Sequence, residues 1–189
     1  MWYDKINLPD APNACLFRRV REIEHGPIGV IAVLAVRTPS GPTVVCTAIS
    51  SVAPGETFHF PTYRAIAFNR AEKMLAVATG LAKPRAKMRA FNELVYTEDA
   101  PAVVAQRALN QFIDSFEGFT DYTLNWTQPD LWLEHFNNRV GHHTIVTKRM
   151  FLALCESVSD RRRVRDKKTA SIAQSTPGLS ATVRVPRQD

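Results

Sequence analysis

Apolar positions run almost without interruption from Ile28 to Arg37 and again from Thr43 to Ser51, in stretches rich in Val and Ile. β-branched residues suit strands, and Thr38-Pro39-Ser40-Gly41-Pro42 between the two runs supplies turn residues, so the pair is expected to form a β-hairpin. The first strand is apolar almost throughout and is expected to be buried on both faces. Further along, the spacing turns helical. Pro61 to Thr79 reads as a helix, with proline in its first turn and Gly80 just past its end. Asp99 to Glu117 reads as a second: Asp99 can cap it, Val104, Ala108, Phe112 and Phe116 recur every fourth residue, and Gly118 can end it. Two more helices are expected, one near Thr127 with Leu131, Trp132, His135 and Phe136, and one near Thr147 with Met150, Phe151, Leu154 and Val158. A short strand is expected from Gly141 to Val146. Before the hairpin, Leu16, Val20 and Ile23 fall at helical spacing, but His25-Gly26-Pro27 stops any helix there, so residues 14–24 suit a helix or a strand. A hairpin followed by helices predicts an α+β fold, a small antiparallel sheet packed against several helices.

Charge divides the chain where the pattern does not. The segment from Asp160 to Asp189 holds eight basic and three acidic residues, so it carries +5 of the formal +6 on all 189 residues. Residues 1–159 are thus expected to be a nearly neutral globular domain, and residues 160–189 a flexible basic tail, polar and without sustained periodicity. Such a tail speeds encounter with polyanions without specifying which, or serves only as a solvated terminus. Apolar and charged fractions of 45% and 22% are those of a globular chain long enough to fold without disulfides or a metal. Cys15, Cys46 and Cys155 form no C-x-x-C pair and read as buried apolar residues in a reducing compartment, the cytoplasm. The first residues lack the apolar core of a signal peptide. The longest apolar run, Ile28 to Val36, falls far short of the roughly 20 residues that cross a bilayer, so no membrane partner is expected.

Candidate chemistry then narrows to binding. None of His25, His59, His135, His142 and His143 pair at metal-ligand spacing, and His142 and His143 would point to opposite faces of a strand, so no metal is expected. Nucleophile-elbow, Walker and dinucleotide motifs are absent; no catalytic residue and no cofactor is assigned, and the expectation is a non-enzyme. In the 61–79 helix, Tyr63, Ile66, Ala67, Met74, Val77 and Ala78 share one stripe, Arg70 falls inside it, and Arg64 lies on its flank. A guanidinium on a packing face needs compensation. Either its stem packs while its head reaches water or a carboxylate such as Glu56, Glu72 or Glu93, or Arg64 and Arg70 together clamp a phosphate, whose oxygens suit their planar forks. Phe58, His59 and Phe60, in the loop before the helix, can each stack on a base or ribose.

A second set suits nucleic acid: Lys83, Arg85, Lys87 and Arg89 in an acid-free loop, and Arg161, Arg162, Arg163, Arg165, Lys167 and Lys168 in the tail. Of the aromatics Phe112, Phe116, Phe119, Tyr122, Trp126, Trp132 and Phe136, the helical spacing puts Phe112 and Phe116 in the core and leaves Tyr122 and Trp126 as loop residues able to stack on bases.

Cys46-Thr47-Ala48-Ile49-Ser50, Pro54, Phe58 and Arg64-Ala65-Ile66-Ala67-Phe68-Asn69-Arg70-Ala71 resemble a pattern of small bacteriophage proteins, the anti-Thoeris sponges, over residues 28–75. Tyr63 stands where that pattern has glycine, and His59-Phe60-Pro61 where it has basic residues. The resemblance implies a non-enzymatic homo-oligomer in the host cytoplasm that captures a cyclic nucleotide defence signal, with Arg64 and Arg70 at matching positions. The alternatives are a nucleic-acid-binding accessory protein using the loop and tail, and a virion or assembly protein.

Overall fold

The hairpin forms from the two apolar runs and gains a strand on each side. In the computed structural model, residues 13–22, 25–53, 55–84, 89–116, 133–134 and 146–175 are described. Strands β1 (Asn13–Glu22), β2 (Gly26–Arg37), β3 (Thr43–Ser51) and β4 (Ala90–Val95) make one antiparallel sheet in the order β1-β2-β3-β4. Helix α1 (Phe60–Ala78) lies between β3 and β4 in sequence, and α2 (Pro101–Asp114) and α3 (Lys148–Ser175) follow. The chain divides into two units, residues 1–159 and 160–189, with α3 running from the first into the second.

Register decides which side chains face which helix, because side chains alternate across a strand. Cys15, Leu34 and Cys46 share a row, as do Phe17, Ala32 and Ala48, and Arg19, Val30 and Ser50. α1 covers this face: Tyr63 and Ala67 pack on Val30 and Ala32, and the Phe17 and Phe68 rings lie 6.4 Å apart. The opposite face carries Leu16, Val33, Thr47 and Phe91 in one row. There Phe91 meets Phe112 of α2 at 5.9 Å, Phe112 meets Phe116 edge-on at 5.4 Å, and Phe116 meets Phe151 of α3 at 6.0 Å. Helices on both faces explain why β2 is buried almost from end to end, as its continuous apolar run requires. Each fully buried ring, such as Phe116 or Phe151, stabilises the fold by about 1.5–3 kcal/mol.

Several expectations change. Of the expected 14–24 segment, residues 14–22 adopt strand, in β1, because a four-residue step such as Leu16 to Val20 returns to the same side in a strand as well as in a helix, and the β2 edge decides between them. β4 was not foreseen: Ala-Phe-Asn-Glu-Leu-Val has no apolar alternation, and Asn92, Glu93 and Leu94 are exposed, so only pairing with β3 defines it. Asp99 does not cap α2. Ala100 holds that position, Pro101 sets the first helical φ, and the Asp99 carboxylate instead accepts a hydrogen bond from Arg107 at 2.9 Å. α3 begins beside Thr147 as expected but continues to Ser175, through residues expected to be an irregular tail. Arg, Lys and Ala favour helix intrinsically, and residues 163–169 are exposed all round, so no apolar stripe announces it. The helix expected near Thr127 lies outside the described residues apart from helical Leu133 and Glu134, as do Gly118, Phe119, Tyr122, Trp126, Trp132 and Phe136. Most of the strand expected at Gly141 to Val146 lies there too; buried Val146 is described, and is not in a strand.

Two close fits fix the helices. α1 ends at Gly80, whose φ of +76° only glycine adopts readily, while Gly80 N–H donates to the Val77 carbonyl and Leu81 N–H to that of Ala76, closing the helix end. At the start of α3, Arg149 donates two hydrogen bonds to Glu22 at the end of β1, at 2.6 and 2.7 Å, and this fork holds the Glu22 carboxyl below its usual range.

Candidate functional site

The first turn of α1 rests on the end of β3. Ser50, fully buried, donates from Oγ to the Tyr63 carbonyl at 2.7 Å, and Tyr63 packs beneath on Val30. His59 is extended, with φ −125° and ψ 106°, and Pro61 in the first turn pre-sets helical φ, so the chain turns into helix abruptly at Phe60. No side chain caps this end and its first turn holds no acidic residue. The helix start therefore presents backbone N–H groups and the positive end of the helix dipole.

Aromatic rings line this helix start. Phe58 stacks on Tyr63 at 5.4 Å with planes 10° apart, and lies 6.4 Å from Phe60. The Tyr63 hydroxyl donates to Glu56 at 2.7 Å; that bond, with burial and the carboxylate charge, raises the phenol pKa and keeps the donor in place. His59 Nδ1 and Thr62 Oγ1 are hydrogen-bonded at 2.9 Å.

Two guanidinium groups lie near one of these rings, Phe60. Arg19, exposed on β1, sits opposite Val30, and its guanidinium carbon lies 4.2 Å from the Phe60 ring centre. That of Arg64, half-buried on α1, lies 6.0 Å from the same ring and 5.4 Å from Phe17. Cation–π contacts of this kind contribute about 0.5–1 kcal/mol each at exposed sites. The charge of Arg64 also reaches Cys15, whose thiol is pushed up to about 12 by burial and by Glu72, with Arg64 opposing.

Arg70 does not join Arg64. Six residues on a helix rise about 9 Å and turn about 240°, so the two side chains leave α1 in different directions. Arg70 donates to the backbone carbonyl of Ile49. The Ile49 N–H is already bonded to the Arg89 carbonyl, at 3.1 Å, just before β4 begins, so Arg70 extends the β3–β4 pairing by one donor. Arg89 turns to Ser51 Oγ at 3.1 Å. Burial, and then the nearby Arg89 charge, hold the Arg70 guanidinium below its ordinary pKa. None of the carboxylates weighed as partners takes Arg70: Glu56 is bound to Tyr63, and Glu72 and Glu93 are exposed.

Of the predicted ligand residues, Arg64, Phe58 and His59 therefore gather at the start of α1, and Arg70 stands apart in a structural contact. Phe60, expected to stack from the loop before the helix, is instead the first residue of α1, and Arg19 is the site residue that the sequence pattern does not signal. Arg19 reaches the site because β1 is a strand in register with β2, which the ambiguous 14–24 segment does not reveal. Of the basic loop, Lys83 is exposed, Arg89 is half-buried, and Arg85 and Lys87 lie outside the described residues. Arg161, Arg162, Arg163, Arg165, Lys167 and Lys168 all belong to α3. Phe112 and Phe116 are core, as their spacing predicted. Among the described residues, no His, Cys, Asp and Glu group is arranged to hold a metal ion, and no helix is long and apolar enough to cross a membrane.

Two planar cations, aromatic faces and an uncapped helix start can together take an oxyanion joined to a flat ring. No family model, curated protein or solved structure matches this chain.

Proposed function

We propose that this protein captures a phosphate-bearing nucleotide at the start of α1. Arg19 and Arg64 would bind phosphate oxygens with the first-turn N–H groups, and Phe58 and Phe60 would support the base or ribose. The observation that carries the reading is the convergence of both guanidinium groups on Phe60 at a helix start that holds no acidic residue. It requires binding without turnover. The resemblance of residues 28–75 to the phage sponges narrows the ligand to a cyclic nucleotide signal held by a homo-oligomer.

Thermal shift against a panel of mononucleotides, cyclic mononucleotides, cyclic dinucleotides and cyclic ADP-ribose tests it. A ligand at a hundred times its Kd adds about 2.7 kcal/mol, which for a domain of this size is a rise of roughly 5–10 °C. Stabilisation by one class, lost in an Arg19→Ala/Arg64→Ala variant, is expected. If no member of the panel stabilises the protein, or the variant responds as the wild type does, the proposal falls.

A further inference from the structure

The part of α3 in the second unit has a separate chemistry. From Asp160 to Ser175 it holds six basic and two acidic residues, and it is helical throughout. Arg163, Arg165, Lys167 and Lys168 are all exposed, and so is Val164, at 67%. At about 100° per residue, Arg163 and Lys167 share one side of the helix, and Arg165 and Lys168 share nearly the opposite side.

We propose that this helical segment binds the phosphate backbones of double-stranded DNA from within the major groove. An α-helix with its side chains is about 10–12 Å across, and the B-form major groove is about 12 Å wide with a phosphate wall on each side. Basic residues on two opposed sides meet both walls, whereas a flat anionic surface is matched by one side only. A lipid surface is disfavoured further, because a helix lying in a membrane interface buries an apolar face, and here the residues from Arg163 to Thr169 include one apolar side chain. Double-stranded RNA is disfavoured because its A-form major groove is too narrow for a helix to enter. No base-reading residue is assigned, so the binding is indifferent to sequence.

Fluorescence anisotropy of the full-length protein with a labelled 20-base-pair DNA duplex tests this. Four phosphate contacts give a log–log salt slope of about −3.6, so affinity should fall about 150-fold between 50 and 200 mM salt. Arg163→Gln/Arg165→Gln/Lys167→Gln/Lys168→Gln keeps good helix formers while removing the charge, and circular dichroism checks that helix content is retained. Its affinity at 50 mM salt should drop at least tenfold and its slope should flatten by more than half. A companion Arg163→Lys/Arg165→Lys variant, which preserves charge, should bind within about threefold of wild type. An unchanged slope in the Gln variant would overturn the proposal. So would tighter binding of wild type to an RNA duplex or to phosphatidylserine vesicles than to DNA.

Discussion

Replacing Arg70 with methionine separates the structural arginine from the binding one. The substitution keeps an unbranched apolar stem and removes the donors that reach the Ile49 carbonyl. A hydrogen bond from a charged group is worth about 1.5–3 kcal/mol. Two effects reduce that loss here: Arg70 is only half-buried, and removing it relieves its repulsion with Arg89. The net expectation is a loss of about 1–2 kcal/mol, which lowers Tm by roughly 3–6 °C and, at an m-value near 2 kcal/mol/M, lowers the urea midpoint by about 0.5–1 M with the slope unchanged. Arg89→Met should cost less, because it removes the repelling charge while leaving the Arg70 contact intact. The pair should be non-additive in a double-mutant cycle, since the two residues share one strand end. Equilibrium urea unfolding of the two single variants and the double reads all three quantities. An Arg70→Met protein as stable as wild type would refute the assignment of Arg70 to the β3–β4 junction.

Other parts of the fold respond more simply. A Cβ on Gly29 would collide with the Ser50 carbonyl and lie 2.8 Å from Met150 Sδ, so Gly29→Ala should destabilise by about 1–3 kcal/mol in the same unfolding assay. Glu22 has a lowered folded-state pKa, so its contribution is present above the unfolded carboxylate pKa of about 4.3 and is lost as pH falls below it through the folded value; Arg149→Met should flatten the acid limb of stability against pH below that point. Cys15, Cys46 and Cys155 are buried with thiols pushed up to about 12, leaving about one thiolate in ten thousand at pH 8, so a thiol reagent should modify the native protein very slowly and all three after denaturation.

The hairpin and α1 were legible because each has a pattern that only one structure satisfies: an unbroken Val and Ile run for strands covered on both faces, and proline and glycine bracketing α1. β1 was ambiguous, since a four-residue apolar step fits both periods and only the β2 edge resolves it. β4 was illegible, because it is defined by its partner and not by its own residues. The helical part of the tail is illegible for the converse reason: a stretch such as residues 163–169, all exposed, leaves only intrinsic propensity as its signal. The same limits shaped the candidate site. The helix wheel placed Arg64 and Arg70 near the packing face but carried no information on which strand each would meet. Arg64 meets Phe17 and Phe60, and Arg70 meets a carbonyl at the end of β3. Arg19 comes to Phe60 from some forty residues earlier in the chain, a pairing set by sheet register.

Calorimetric titration of the best-stabilising nucleotide into wild type, Arg64→Met and Arg70→Met tests the placement of the site most directly. The predicted result is a loss of at least tenfold in affinity for Arg64→Met and less than threefold for Arg70→Met. The reverse order, with Arg70→Met losing the ligand and Arg64→Met retaining it, would contradict a site at the start of α1.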